Sequence, residues 1–342
     1  MSLKRIGKQT VRFEKPPSII ATSTIVGPKE GEGPLSKYFD TILDDDIIGQ
    51  DSYEKAECKM VRDVSNDVIS KAGLKKELID YMLAGDLLDQ IITSSFAARE
   101  MEIPFFGLYG ACSTMTESLS LGAMLVDGGY GDNILCVTAS HFSSAERQFR
   151  FPLELGTQRP PTAQWTVTGT GAAIVSSDGQ GPYITHVTTG KVVDFGIKDG
   201  NNMGAAMAPA AAQTIYQHFL DTGFEPKDYD LIITGDLGNV GKELTDSLLK
   251  KKGIDILSRF KDCGIEIYDQ NQQDIHAGGS GCGCSASVFC GYVYKLIKKG
   301  ELNRVLLIST GALMSPTSSQ QGESIPGIAH AVTIERMVHG IV

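Results

Sequence analysis

No apolar run in the 342-residue chain reaches the ~20 residues needed to cross a bilayer. The opening stretch "MSLKRIGKQTVRFEKPPS" also lacks the apolar core of a signal peptide. A basic stripe is missing too. Lys and Arg number 31 against 41 Asp and Glu, for a net charge of −10. The two basic runs, "LLKKKG" and "KLIKKG", sit where helices end and read as solvated caps. Nucleic acid is therefore not an expected partner. The seven cysteines are scattered and odd in number, which argues against a disulfide framework and for a reducing compartment. The expectation is a soluble, cytoplasmic protein whose association with any membrane is peripheral or through a partner.

What the chain does have is a repeated phrase. "IDYMLAGDLLDQ", Ile79–Gln90, matches "YDLIITGDLGNV", Tyr229–Val240, each after a polar helical segment. Downstream, Gly110–Ser140 and Gly281–Gly311 both read as a Gly/Cys-rich loop, a helix, a turn and a strand. The strands "DNILCVTAS" and "NRVLLISTG" are continuous apolar runs, the pattern of strands buried on both faces. Together these imply a duplicated α/β fold with residues 1–180 in one half and 181–342 in the other.

A candidate nucleophile lies in "LYGACSTMTESLSLGAMLVDGG", Leu108–Gly129. Met115, Leu119, Ala123 and Val126 fall on one face of a helix that the spacing predicts here. Cys112 would occupy the first turn, where the helix dipole and free N–H groups favour a thiolate.

The doubled layout, with "GACSTMTES" opening a helix, resembles the thiolase superfamily. Longer phrases resemble one family within it, stage V sporulation protein AD of spore-forming bacteria. They include "VGPKEGEGPLSKYFD", "LAGDLLDQ", "ACSTMTES", "AERQFRFP", "GAAMAPAAAQTI", "ITGDLGNVG", "LNRVLLISTGALMSP" and "ESIPGIAHAV". The resemblance implies a thiolase-like, five-layer αβαβα fold with two pseudo-symmetric halves. It further implies binding of dipicolinic acid (pyridine-2,6-dicarboxylate) for its uptake, with calcium, into the developing spore. Action beside the membrane proteins of the SpoVA assembly, peripheral to the spore inner membrane, is part of the same expectation, as is a homodimer.

The resemblance also exposes what acyl transfer would lack. Decarboxylating members of the superfamily read His-Gln-Ala-Asn after the strand matching "DLIIT", and thiolases read Asn-Glu-Ala-Phe. Here Gly235, Asp236, Leu237 and Gly238 stand instead. The Gly-rich loop "AGGSGCGCSAS" has neither the Gly-His-Pro of thiolases nor the Gly-Asn of the synthases, and His276 lies a few residues upstream. An anionic Asp236 would oppose a developing oxyanion. Cys112 thus reads as a vestigial nucleophile position, with no catalytic residue assigned. Acyl transfer through Cys112 and a docking role for the long loop Val26–Asp46 stay open as alternatives.

Ligand candidates follow from charge. Asp86 and Asp236 end matching strands, where open α/β sheets bind ligands, although each would serve equally as a helix cap. A dipicolinate dianion calls for Arg or Lys, and Arg147, Arg150 and Lys191 are the basic candidates. Its neutral calcium chelate would instead accept carboxylate oxygens, which the Asp pair suits slightly better. His141 ends the strand after the cysteine helix and is positioned to hydrogen-bond a carboxylate, while Phe149 and Phe151 would cover a planar ring. No cofactor or protein-held metal is expected, calcium entering only as part of the chelate. Cys282 and Cys284 lack two further zinc ligands at suitable spacing and read as packing residues. "DGGYGDN" lacks the closing Glu of a calcium loop, and "TGTGAAIV" does not open a helix over phosphates.

Overall fold

The computed structural model describes residues 4–149 and 159–337. Arg150 and Phe151 lie outside the described residues. Five strands form the sheet of the first half: β1 (Ser18–Val26), β2 (Tyr81–Gly85), β3 (Phe105–Gly107), β4 (Asn133–Ser140) and β5 (Gly169–Ser176). They lie in the order β1-β5-β4-β2-β3. The second half repeats the arrangement with β6 (Tyr183–Thr188), β7 (Leu231–Thr234), β8 (Phe260–Asp262), β9 (Arg304–Ala312) and β10 (Gly327–Glu335), ordered β6-β10-β9-β7-β8. Directions match as well. The first three strands in each order pair antiparallel, the last three parallel. The two sheets meet at one residue pair, Ser18 with Tyr183.

Helices α1 (Tyr53–Lys71) and α2 (Ile92–Met101) cover the outer face of the first sheet, and α3 (Thr114–Asp127) lies inside. A short α4 (Phe142–Phe149) follows β4. In the second half α5 (Met203–Thr222) and α6 (Gly238–Lys250) lie outside, and α7 (282–299, with a π-helical middle) lies inside. Three apolar clusters separate the layers. One sits between the first sheet and its outer helices, one around α3 and α7, and one beneath α5 and α6.

The continuous apolar strands follow from this layering. In β4, Ile134 and Cys136 face the middle cluster, while Leu135, Val137 and Ala139 face the outer one. Residues Met115, Leu119, Ala123 and Val126 of α3 all join the middle cluster. Because α3 is enclosed by both sheets, its other faces carry small residues. Ser118 and Ser120 are buried and donate to the carbonyls of Met115 (2.8 Å) and Thr116 (2.6 Å), which satisfies their hydroxyls without water.

Loop Val26–Asp46, an alternative docking surface by sequence, is tied to the body both early and late in its course. Thr41 and Ile42 pair in parallel with Ile25 and Val26. Glu30 is buried and accepts from the Thr168 N–H (3.1 Å) and the Tyr268 hydroxyl. No helix among the described residues is long and apolar enough to cross a membrane.

Candidate functional site

The site forms where the first-half cysteine loop meets the ends of the second-half strands. After β3 the backbone turns sharply, with Ala111 at φ 49°, before α3 begins at Thr114 with Ser113 at its N-cap. Cys112 therefore precedes the helix and does not sit in its first turn. Gly311 of β9 permits this turn to pack closely: a Cβ there would meet the Gly110 carbonyl oxygen at 2.3 Å.

The thiolate expected from sequence is not favoured. Cys112 is 6% exposed, and its pKa lies well above that of an ordinary thiol. Burial is the main cause, followed by the negative charge of Asp236 and by Cys282. A helix terminus helps only within its first turn, and removal from water opposes it with greater strength. Ser280 Oγ stands 4.0 Å from the sulfur.

Asp236 follows β7 and is fully buried. Its Oδ1 accepts from Thr310 Oγ1 at 2.7 Å, and its Oδ2 accepts from Ser280 Oγ and the Gly281 N–H, both at 3.0 Å. Burial raises its pKa against the effect of these bonds. Asp86, its counterpart after β2, turns elsewhere. Its carboxylate accepts from Leu88 N (2.9 Å), Ser94 N (2.7 Å) and Ser94 Oγ (2.6 Å), capping the entry to α2. Asp262 holds the corresponding backbone in the second half, accepting from Leu237 N and Gly238 N at 2.8 and 3.0 Å. The two matching aspartates thus hold different sets of donors.

A cavity of about 480 Å³ opens beside Cys112. Tyr109, Phe149, Arg159, Lys198 and Ser280 line it together with the cysteine. No histidine lines it among the described residues. Arg159 is the notable wall group. Its side chain is only 8% exposed, and its guanidinium lies 4.7 Å from the Trp165 ring centroid. Phe142 stacks on that ring at 3.8 Å. Arg159 Nη2 donates to Asp274 Oδ2 at 2.8 Å, yet its buried Nη1 has no hydrogen-bond partner among the described residues. Lys198 stands exposed at the rim.

Of the other sequence candidates, those that follow lie apart from this cavity, Phe149 excepted. His141 is buried with both ring nitrogens engaged: Nδ1 accepts from Ser143 N (3.1 Å), which leaves Nε2–H to donate to the Asp46 carbonyl (2.8 Å). Burial lowers its pKa. Arg147 is half-exposed and pairs with Glu54 at 3.3 Å. Lys191 lines a separate depression with Arg5 and Lys8. His276 stays with its own loop, bonded to Pro160 O (2.9 Å) and Asp274 Oδ1 (3.0 Å). The Cys282 and Cys284 thiols donate to the carbonyls of Ala139 (2.8 Å) and Gly235 (3.3 Å). Phe149 alone of the aromatic pair is described, and it lines the cavity.

Arg159 and Lys198 were not singled out from sequence. "TQRPPTAQW" and "GIKDG" look like ordinary loop text. The one available signal was proximity of an arginine to the single tryptophan, which offers a flat face to a guanidinium.

Chemically, the cavity combines a neutral thiol, the buried acid Glu146, aromatic walls and a guanidinium with a donor unpartnered among the described residues, while Asp236 stands behind Ser280 and is held by its donors. That set suits a planar anion better than proton transfer at sulfur.

Comparison with known proteins shows the fold and the family. The fold is shared with 3-oxoacyl-[acyl-carrier-protein] synthase III from Aquifex aeolicus VF5, at TM-score 0.57 and 14% identity, covering 93% of this chain and 99% of that one. It is equally shared with OleA from Xanthomonas campestris, crystallised with bound lauric acid and lauroyl-CoA, at TM-score 0.57, 14% identity and the same coverage. At such identity the likeness concerns the fold alone, which is thiolase-like with two pseudo-symmetric halves. Stage V sporulation protein AD of Bacillus subtilis (strain 168) is 48% identical over 334 residues, covering 98% of each chain. The family model for stage V sporulation protein AD (SpoVAD) matches residues 7–335. The chain belongs to the stage V sporulation protein AD family, and its role lies in sporulation.

Proposed function

We propose that the cavity beside Cys112 binds dipicolinate without turning it over. This binding serves uptake of the ligand into the developing spore, beside the membrane proteins of the SpoVA assembly. The observation that carries the reading is the Nη1 of Arg159 in the cavity wall, which has no partner among the described residues. A buried donor left unsatisfied costs about 1–3 kcal/mol, more when charged. A ligand carboxylate would remove that cost through a charge-assisted bond. Lys198 adds a second positive charge, and Tyr109 and Phe149 supply faces for a ring. The volume lies in the roughly 300–1,000 Å³ range of small-molecule sites.

Several features speak against turnover. The thiol is held neutral, and the groups around it are Ser280 and Asp236. Loss of one oxyanion donor typically costs about 2.7–4 kcal/mol of transition-state stabilisation, and an acidic group in that place adds repulsion. Calorimetric titration with dipicolinate, in the presence and absence of Ca²⁺, tests the binding. Saturable binding supports the reading, whereas its absence at millimolar ligand sinks it. Incubation with acyl-CoA followed by intact-mass measurement tests the silence of the cysteine. An acyl adduct that disappears in Cys112→Ala would restore the transferase reading.

A further inference from the structure

The N-terminal segment creates a second site of different character. Its strand Thr10–Arg12 runs antiparallel to β6, pairing Thr10 with Thr188 and Arg12 with His186. That register brings Arg5 and Lys8 beside Lys191, around a depression of about 340 Å³. Gln9, Val11, Thr189 and Gly190 complete the lining, which includes three cations and no carboxylate. On a chain of net charge −10 this is a local reversal of sign.

The three cations have no ion-pair partner among the described residues. Arg5 donates only to the carbonyls of Gly7 and Lys8, which shapes the turn and leaves its charge uncompensated. Asp221, packed against the segment, is turned to the backbone and accepts from the N–H groups of Lys8, Gln9 and Thr10. Large apolar side chains stand exposed next to these cations in the chain. Ile6 lies between Arg5 and Lys8, and Val192 and Phe195 follow Lys191 at 59% and 65% exposure, with the exposed Asp194 between them accepting from Gly196 N and Ser324 Oγ. Cations with adjoining exposed apolar groups give an interfacial pattern: phosphates neutralise the first, and the headgroup boundary takes the second.

We propose that this face docks directly on an anionic phospholipid surface. The net negative charge of the remaining molecule repels such a surface, so only this face approaches it, and orientation follows from the charge distribution. Segment 191–198 then runs from the docked face to Lys198 at the rim of the cavity. A nucleic acid is a poorer occupant, because the patch is small and the overall charge opposes a polyanion. The inference does not rest on the identity of the cavity ligand.

The test is co-sedimentation of the full chain with vesicles of phosphatidylglycerol and phosphatidylcholine, against phosphatidylcholine alone, at low and high ionic strength. Wild type should bind the anionic vesicles at least about tenfold more tightly and lose binding in high salt. Combined Arg5→Glu, Lys8→Glu and Lys191→Glu should remove that preference while the melting temperature stays near wild type. Phe195→Ser, which alters no charge, should weaken binding at both salt levels. Equal binding to both vesicle types, an unaffected triple variant, or no anionic-vesicle binding would each overturn the proposal. Stabilisation by inorganic phosphate or by an acidic peptide without vesicle binding would overturn it too, since the partner would then be a different anion.

Discussion

Asp86 and Asp236 end equivalent strands of the two halves, yet they hold different partners. Asp86 spends its oxygens on the backbone at the entry to α2, through Leu88 and Ser94. Asp236 instead joins Thr310, Gly281 and the cavity-lining Ser280 and presents its charge to Cys112. In the second half Asp262 takes over the backbone contacts, which frees Asp236 for the site. Duplication thus preserved the residue while the local partners diverged.

This arrangement makes the thiol's ionisation a direct readout of Asp236. Asp236→Asn removes a negative charge that holds the Cys112 pKa up, so the pKa should fall. Burial, the larger cause, remains, and the value should stay above that of a free thiol. Alkylation of Cys112 by iodoacetamide, followed by mass spectrometry across pH, should shift to lower pH in the variant. An unmoved curve would show that the two groups are not coupled.

Arg159→Gln should weaken dipicolinate by roughly 10–100-fold, the equivalent of one charged hydrogen bond of about 1.5–3 kcal/mol. Folding should suffer little. The ion-pair partner lost, Asp274, has a side chain 71% exposed and does not become a buried orphan. Arg147→Gln, by contrast, should leave the affinity unchanged because that side chain pairs with Glu54 outside the cavity. Titration of both variants beside the wild type distinguishes the two arginines.

Stability should fall on both sides of a mildly acidic optimum. Burial lowers His186 and His330 to about 4 and His218 to about 3, from an ordinary 6.5. Between these values the unfolded chain binds the extra protons. The contribution of the histidines is therefore complete above pH 6.5 and is lost as pH falls through about 4. Glu30 works in the opposite sense: burial raises it to about 7 from 4.5, so its contribution is complete below 4.5 and lost as pH rises through about 7. Urea midpoints measured across pH should trace both limbs, with Glu30→Gln flattening the upper one and His218→Gln the lower.

Gly311→Ala should disturb fold and site together. The added methyl would lie 2.3 Å from the Gly110 oxygen, and overpacking of this kind costs about 1–3 kcal/mol. The turn carrying Ala111 and Cys112 has to yield. A lowered melting temperature accompanied by weaker dipicolinate titration is the expected pair of results. Loss of stability with unchanged affinity would separate the turn from the cavity.

The repeated phrases and the unbroken apolar strands made the doubled, layered fold legible, because a strand buried on both faces has no position for an alternating polar residue. The face of α3 could be read for the same reason: Met115, Leu119, Ala123 and Val126 carry the helical period. Of the residues singled out from sequence, Cys112 and Phe149 line the cavity, and Asp236 hydrogen-bonds its wall residue Ser280. Arg159 and Lys198 enter the cavity from connecting segments, where no periodicity marks a side chain as inward-facing. Arg147, Lys191 and His141 were plausible by charge and placement along the chain, and all three face elsewhere.

Local pattern therefore determined which segments become strands and helices and how the two halves correspond, since those choices depend on near neighbours in sequence. The ionisation of Cys112, the separate duties of Asp86 and Asp236, and the gathering of cations around two different depressions were decided only by tertiary structure. Desolvation and electrostatics act through space, and both depend on which distant segments fold against one another.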